Sequence, residues 1–358
     1  MEGLLIKAMD EIVTPLLHLL FQPFVFIPLV YPGLIVVFSI LLFIIWLERK
    51  VAGKVQLRYG PLYVCKRFGG VLQLLADLLR YLFAEVIVPE EVDKLMFILA
   101  PILLFASTLL PIAAIPVSPN YAAISNELSL LISLALVTIP PIFVLTMSWA
   151  SSNKFSFIGG LREGYLMVSY EVSLLLSALS MAVLFASLNF LDIVEKQTRL
   201  WGIALNPLAA IVFFLSILVS TSKFPFEIAE ADTEIVCGPY TEYSGIIYGL
   251  SMGYGYVKTY VLSLMFTLLF LGGWNPIVWP PGLSPTLAGY SLPSDIFFPS
   301  FMVLAKTLIV MAFSVFLRAV YPRYRIDQAI KIGWHVLFTL LILSIILSIS
   351  IVMVGGWK

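Results

Sequence analysis

KFPFEIAEADTEIVCGPYTEYSG, Lys223 to Gly245, packs five carboxylates (Glu227, Glu230, Asp232, Glu234 and Glu242) and one cation between two long apolar segments. The whole chain is 61% hydrophobic and only 12% charged, so this density of charge is costly to place near lipid and points to a purpose. The bland alternative is a solvated surface loop. Outward from this stretch, the flanks decide the fold. Charge-free runs at 95–126, 128–153, 200–222, 259–294 and 332–357 are long enough to cross a hydrocarbon core of about 30 Å. Mean hydropathy is +1.02. Period-two alternation is absent from these runs, which excludes an outer-membrane barrel. The class is all-α: a polytopic membrane protein.

Apolar length places about eight transmembrane helices, near 31–47, 95–116, 128–149, 167–190, 204–222, 246–271, 297–319 and 334–355. Residues 1–30 are an N-terminal irregular or interfacial segment, because Pro15, Pro23, Pro28 and the following Pro32 would each cost helix hydrogen bonds. Residues 31–358 form a single transmembrane domain with cytoplasmic loops at 48–94, 150–166, 223–245 and 318–333. Orientation follows from the basic residues. Arg49, Lys50, Lys54, Arg58, Lys66, Arg67, Arg80, Lys154, Arg162, Lys223, Arg318, Arg323, Arg325 and Lys331 fall on one side, against Lys196 and Arg199 on the other. The bias puts the carboxylate loop in the cytoplasm and both termini outside. No cleavable signal is evident at the N-terminus.

In FGGVLQLLADLLRYLFAEV, residues 68–86, polar residues recur every three to five positions, which predicts an amphipathic helix. It lies on the cytoplasmic membrane surface or under a partner, or packs as a strut against the bundle. Pro140 and Pro141 must break the third span. Cys65, Cys237, His18 and His335 are far apart and make no metal-ligand spacing, so any redox centre must sit on a partner.

Charges inside the spans are the next candidates. Glu171, at the beginning of an apolar helix in SYEVSL, suits a group that picks up and releases a proton near neutral pH; its plain reading is an interfacial acid near a helix start. Lys306 lies too deep for easy snorkelling, so a carboxylate or carbonyl partner is expected, and Lys258 poses the same question. Glu227, Glu230 and Glu234 recur at i, i+3 and i+7, so a helical turn would place them on one face, with Asp232 elsewhere. Like charges this close repel, and some must be protonated unless cations or water compensate. Such a row of carboxylates is a physical basis for carrying protons or for turning a charge change into motion.

Several motifs in order carry a resemblance covering roughly 33–355: ERKVAGKVQLRYGP at 48–61, LQLLADLLRYLFAE at 72–85, SWASSNKFSFIGGLR at 148–162, SYEVSL at 169–174, PFEIAEADTEIVCGPYTEYSG at 225–245, FLGGW at 270–274 and LRAVYPRYRIDQAIKIGW at 317–334. Together they resemble the H-type membrane subunit of respiratory complex I and related energy-converting complexes, the homologue of mitochondrial NADH dehydrogenase subunit one.

The resemblance implies a non-redox heel subunit of an ion-translocating quinone oxidoreductase, with NADH, ferredoxin or F420 as donor. Its partners would be peripheral-arm redox subunits bearing iron–sulfur clusters, other membrane-arm and antiporter-like subunits, quinone as the complex's substrate and the bilayer of the plasma membrane, with no nucleic acid. The chain itself would bind no cofactor. By motif, Arg49, Arg58, Arg162, Arg318, Arg323 and Arg325 would line the quinone cavity or the arm interface. Glu171, Glu227, Glu230, Asp232, Glu234 and Glu242 would couple quinone chemistry to proton movement.

The chain departs from the family where a GPN turn becomes Gly60, Pro61 and Leu62, where Asn126 stands beside Glu127, and where an expected sixth-helix Glu becomes Gly255 with Lys258 nearby. These departures also suit energy-converting hydrogenases or sulfur-reducing complexes. An autonomous secondary transporter is the reading of another class, and it requires inverted repeats and a midplane site.

Overall fold

The computed structural model describes residues 34–119, 124, 126–198, 200–275, 286–287, 290–291 and 294–354. The segment 1–30 lies outside the described residues. The principal helices are α1 (Leu34–Val55), α2 (Gln73–Phe83), α3 (Lys94–Leu109), α4 (Ser129–Val137), α5 (Pro140–Ala150) and α6 (Lys154–Phe185). They continue as α7 (Pro207–Ser220), α8 (Gly245–Phe270), α9 (Ser294–Val320), α10 (Ile326–Lys331) and α11 (Phe338–Met353). One short antiparallel pair, Thr286–Leu287 with Tyr290–Ser291, is the only strand pairing among the described residues.

Five continuous helical stretches have the length and apolarity to cross a membrane: Lys94–Ala114, Ser129–Ala150, Lys154–Phe185, Phe298–Val320 and Ile326–Met353. The protein is a polytopic all-α membrane protein. Helices α1 and α8 occupy the expected first and sixth spans and are long enough, at 22 and 26 residues, though each carries charge. Helix α7 has 14 residues, about 21 Å of rise, and is shorter than a bilayer core.

The proline pair divides the third span as expected, with α4 ending at Val137 and α5 starting on Pro140 and Pro141 as its first residues. Elsewhere the helices outrun their apolar limits. Helix α6 begins at Lys154, because the Asn153 side chain accepts from the Phe155 N–H at 2.9 Å and caps it. The expected loop at 150–166 is therefore mostly helix. Glu171, taken from sequence to stand at a helix start, lies in the middle of a 32-residue helix. Likewise α1 continues through Glu48–Lys54, and the last span starts at Ile326, running through a π-helical turn at Ile332–Leu337 into α11. Apolar length marks where lipid begins, not where backbone hydrogen bonding stops.

Helix α2 is amphipathic, and its polar and aromatic side chains pack it against α1 and α8. Leu74 is buried, Tyr81 meets Tyr248 of α8 with ring centroids 5.9 Å apart, and Asp77 pairs with Arg49 of α1 at 2.5 Å. Its other face leaves Leu75, Leu79 and Leu82 exposed.

The segment 223–245 is not a solvated loop. Phe226, Ile228, Ala229, Ala231, Ile235 and Tyr240 are buried, and Phe226 sits between Tyr170 and Tyr324 with ring centroids 5.7 and 5.5 Å away. Close backbone approach fixes it on α6. A Cβ at Gly159 would stand 2.7 Å from the Cα of Gly238, and one at Gly238 would stand 2.0 Å from the Ala229 carbonyl oxygen. Gly238 also has φ of +53°, a left-handed conformation that favours glycine. Gly238→Ala is expected to destabilise the protein by more than about 3 kcal/mol, since strain and overlap act together. Thermal unfolding in detergent checks this, and a midpoint equal to wild type would refute the packing argument.

Candidate functional site

Three groups of charges meet around the carboxylate segment. The first lies where α1, α8 and α9 converge. Arg318, in the last turn of α9, pairs with Glu48 of α1 and, at 3.3 Å, with Glu227. The Tyr256 hydroxyl donates to Glu48 Oε1 at 3.3 Å. Lys223 is buried, its Nζ 5.1 Å from the Tyr256 ring centroid, and that atom has no hydrogen-bond partner among the described residues. Burial lowers the Lys223 pKa to about 8, with nearby Glu48 opposing the shift and Arg318 adding to it.

The second group is buried in the helices. Glu163 of α6, 2% exposed, accepts from the Ser222 hydroxyl at 3.1 and 3.0 Å and from Tyr254 of α8 at 3.4 Å. Tyr254 also shares a hydrogen bond with Tyr240 of the carboxylate segment. Burial holds the Tyr240 phenol well above its usual range, and Tyr254, Glu230 and Glu163 push it further. On the same face of α6, Glu171 lies 4.0 Å from Lys258 Nζ. Half-buried Glu230 is thus linked electrostatically through two tyrosines to a buried acid, a buried ammonium and a second acid. Every member except Ser222 can hold or release a proton.

The third group lies at the surface. Glu234 receives Arg162 at 2.5 Å and Arg323 at 3.5 Å. The hydrogen bond from Arg162 is the main reason that its carboxyl lies below the usual range, and the charges of Arg162 and Arg323 act in the same direction. Glu242 accepts from Asn153 Nδ2 at 2.5 Å.

The expected row on one helix face is not formed. The segment has one α-helical turn, Asp232–Ile235, and one 3-10 turn, Gly238–Tyr240, with the rest held in turns by Pro225 and the buried apolar residues, so Glu227 and Glu230 share no helix with Glu234. At Glu234 two arginines, Arg162 and Arg323, supply the cationic compensation that closely spaced carboxylates require. The Asp232 side chain lies outside the described residues.

Of the remaining candidates, Arg58 donates to its neighbour Gln56 at 2.7 Å and Arg325 stands at the start of α10. Lys306 finds the expected carbonyls: Leu271, Gly273 and Asn275 accept from it at 2.8, 2.7 and 2.5 Å, at the far end of α8.

Glu163, Glu48, Tyr240 and Tyr254 were not among the sequence candidates. Glu163 was concealed by a helix start placed too late. With the cap set at Asn153, Glu163, Met167 and Glu171 follow at i, i+4 and i+8, one ridge of α6. Glu48 closes an apolar run and reads as the first loop residue until α1 is extended through it.

The sequence model of the NADH dehydrogenase family matches residues 29–349. The chain is similar to proteins named as the H subunit of NADH-quinone oxidoreductase. That of Geobacillus sp. (strain WCH70) is 36% identical over 319 residues, covering 88% of this chain and 91% of the relative. That of Geobacillus thermodenitrificans (strain NG80-2) is 34% identical over 315 residues, with 88% and 90% covered. That of Bacillus cytotoxicus is 36% identical over 319 residues, with 88% and 91% covered. With the match running across almost all of the described helices, the chain belongs to the NADH dehydrogenase family, among relatives of the H-type membrane subunit.

Proposed function

We propose that the chain is the membrane heel subunit of a complex I-like, proton-translocating quinone oxidoreductase. It joins redox subunits of a peripheral arm to pumping subunits of the membrane arm, in the plasma membrane, with the carboxylate segment cytoplasmic and both termini outside. The iron–sulfur clusters belong to partners, and quinone is the substrate of the complex. Arg49, Arg58, Arg318, Arg323 and Arg325 line or brace the cavity by which quinone reaches the arm. The names of the relatives support the assignment to such a complex.

The observation that carries the coupling role is the sequence Tyr240, Tyr254, Glu163, Lys258, Glu171, buried up to Lys258, which starts at the carboxylate segment and ends in the middle of α6. A change of charge near Glu227 or Glu230 shifts the free energy of ionising the next group, because the interior screens little. Proton occupancy then follows redox state.

Glu230→Gln tests this in the assembled complex. Quinone reduction coupled to proton uptake into vesicles is expected to fall about tenfold or more. Pumping per electron at the wild-type ratio and rate would remove the carboxylate segment from the coupling route.

A further inference from the structure

Lys258 is the single charged residue of α8, and its side chain is 2% exposed. The charged groups that face it are Glu171 and Glu163, both on α6. Its Nζ lies 4.0 Å from Glu171 Oε1 and 3.8 Å from Met167 Sδ, a weak acceptor. Glu171 Oε1 is itself buried and has no hydrogen-bond partner among the described residues. Glu163 is held one turn away, where Tyr254 precedes Lys258 by four residues on α8 as Glu163 precedes Met167 on α6.

The two acids are separated by eight residues of α6, about 12 Å of rise, so a direct exchange of a proton between their carboxyls is out of reach. One ammonium between two carboxylates leaves a net negative charge in an apolar space, which favours one shared proton. A four-carbon stem lets the ammonium swing, and a buried amine gives up its proton far more readily than an arginine does.

We infer that Lys258 is a proton-transfer residue that carries a proton between Glu163 and Glu171. The inference rests on the coupling role proposed above. In one direction the Nζ–H bond breaks and an O–H bond forms on Glu171, leaving a neutral amine and a neutral acid. The amine lone pair then takes the proton of a protonated Glu163, which becomes a carboxylate, and the ammonium is restored. One proton has left Glu163 and one has reached Glu171.

The test uses the intact complex in membranes, with Lys258→Met, Lys258→Arg and Glu171→Gln, assembly being read on native gels. All three are expected to lose coupled turnover about tenfold or more. The arginine variant is decisive, because it keeps the positive charge and cannot release its proton. If Lys258→Arg or Lys258→Met pumps normally while Glu171→Gln does not, Lys258 is a counter-ion or a packing residue and the inference falls alone. If Glu171→Gln and Glu230→Gln both pump normally, the coupling role falls and takes the inference with it. Should arginine block assembly, infrared difference spectra of wild type, Glu171→Gln and Lys258→Gln on reduction replace it. A protonated-carboxyl band assigned to Glu171 that vanishes in Lys258→Gln supports transfer, and a band that persists overturns it.

Discussion

Glu163→Gln is expected to abolish coupled turnover, by about a hundredfold, while the complex still assembles. The amide has the shape of the acid, and its oxygen can still accept from Ser222 and Tyr254, which now hold Glu163 at 3.0 to 3.4 Å. What disappears is the proton and the charge. Glu163 joins the carboxylate segment, through Tyr254 and Tyr240, to Lys258, so its loss interrupts that linkage. Proton uptake per quinone reduced in reconstituted vesicles reads the effect. A wild-type ratio would show that protons do not pass this way. The comparison with Glu234→Gln sharpens the result. Glu234 is half-exposed, and Arg162 and Arg323 keep it ionised below the usual carboxylate range. The stability from that pairing is present above the unfolded-state pKa and is lost as pH falls through the lower folded-state value. An acid so held stays charged throughout the neutral range, and its replacement is expected to cost less activity than that of Glu163.

Lys306→Met is expected to have the largest effect on stability, about 3 to 5 kcal/mol. The Lys306 ammonium satisfies three backbone carbonyls at once and lies 4.9 Å from the Trp201 ring centroid. The chain turns there through Gly272 and Gly273, with φ of +68° and +50°, which aims the carbonyls of Leu271, Gly273 and Asn275 inward. Methionine fills most of the volume and leaves those carbonyls with no donor, each a desolvation cost not recovered. Thermal unfolding of the purified chain or complex in detergent measures this. A loss below about 1 kcal/mol would show that the cage is not holding the end of α8.

Burial and pairing in the structure distinguish the acids in a way that charge density along the chain does not. Motif matching and charge density point to Glu227, Glu230, Asp232, Glu234 and Glu242, all in one segment, and to Glu171. Within the segment, Arg318 pairs with Glu227, Arg162 and Arg323 pair with Glu234, and Asn153 donates to Glu242. The acid with the deepest burial, Glu163, follows an arginine in sequence and so looks like part of a polar loop. Only the cap at Asn153 places it inside a helix.

The sequence by itself determined the class: charge-free runs of membrane length, broken by Pro140 and Pro141, admit an all-α polytopic protein because lipid offers no partner for unpaired backbone groups. It also determined that Lys306 required carbonyls or a carboxylate, since an ammonium so deep cannot stay unsatisfied. Tertiary structure decided which acids meet which cations. Glu48 and Arg318 stand 270 residues apart in the chain, as Glu163 and Tyr254 stand 91 apart, and only helix packing brings them together. Whether a carboxylate stays ionised or carries a proton depends on the charges and solvent within a few ångströms, and those neighbours are set by the fold, not by spacing along the chain.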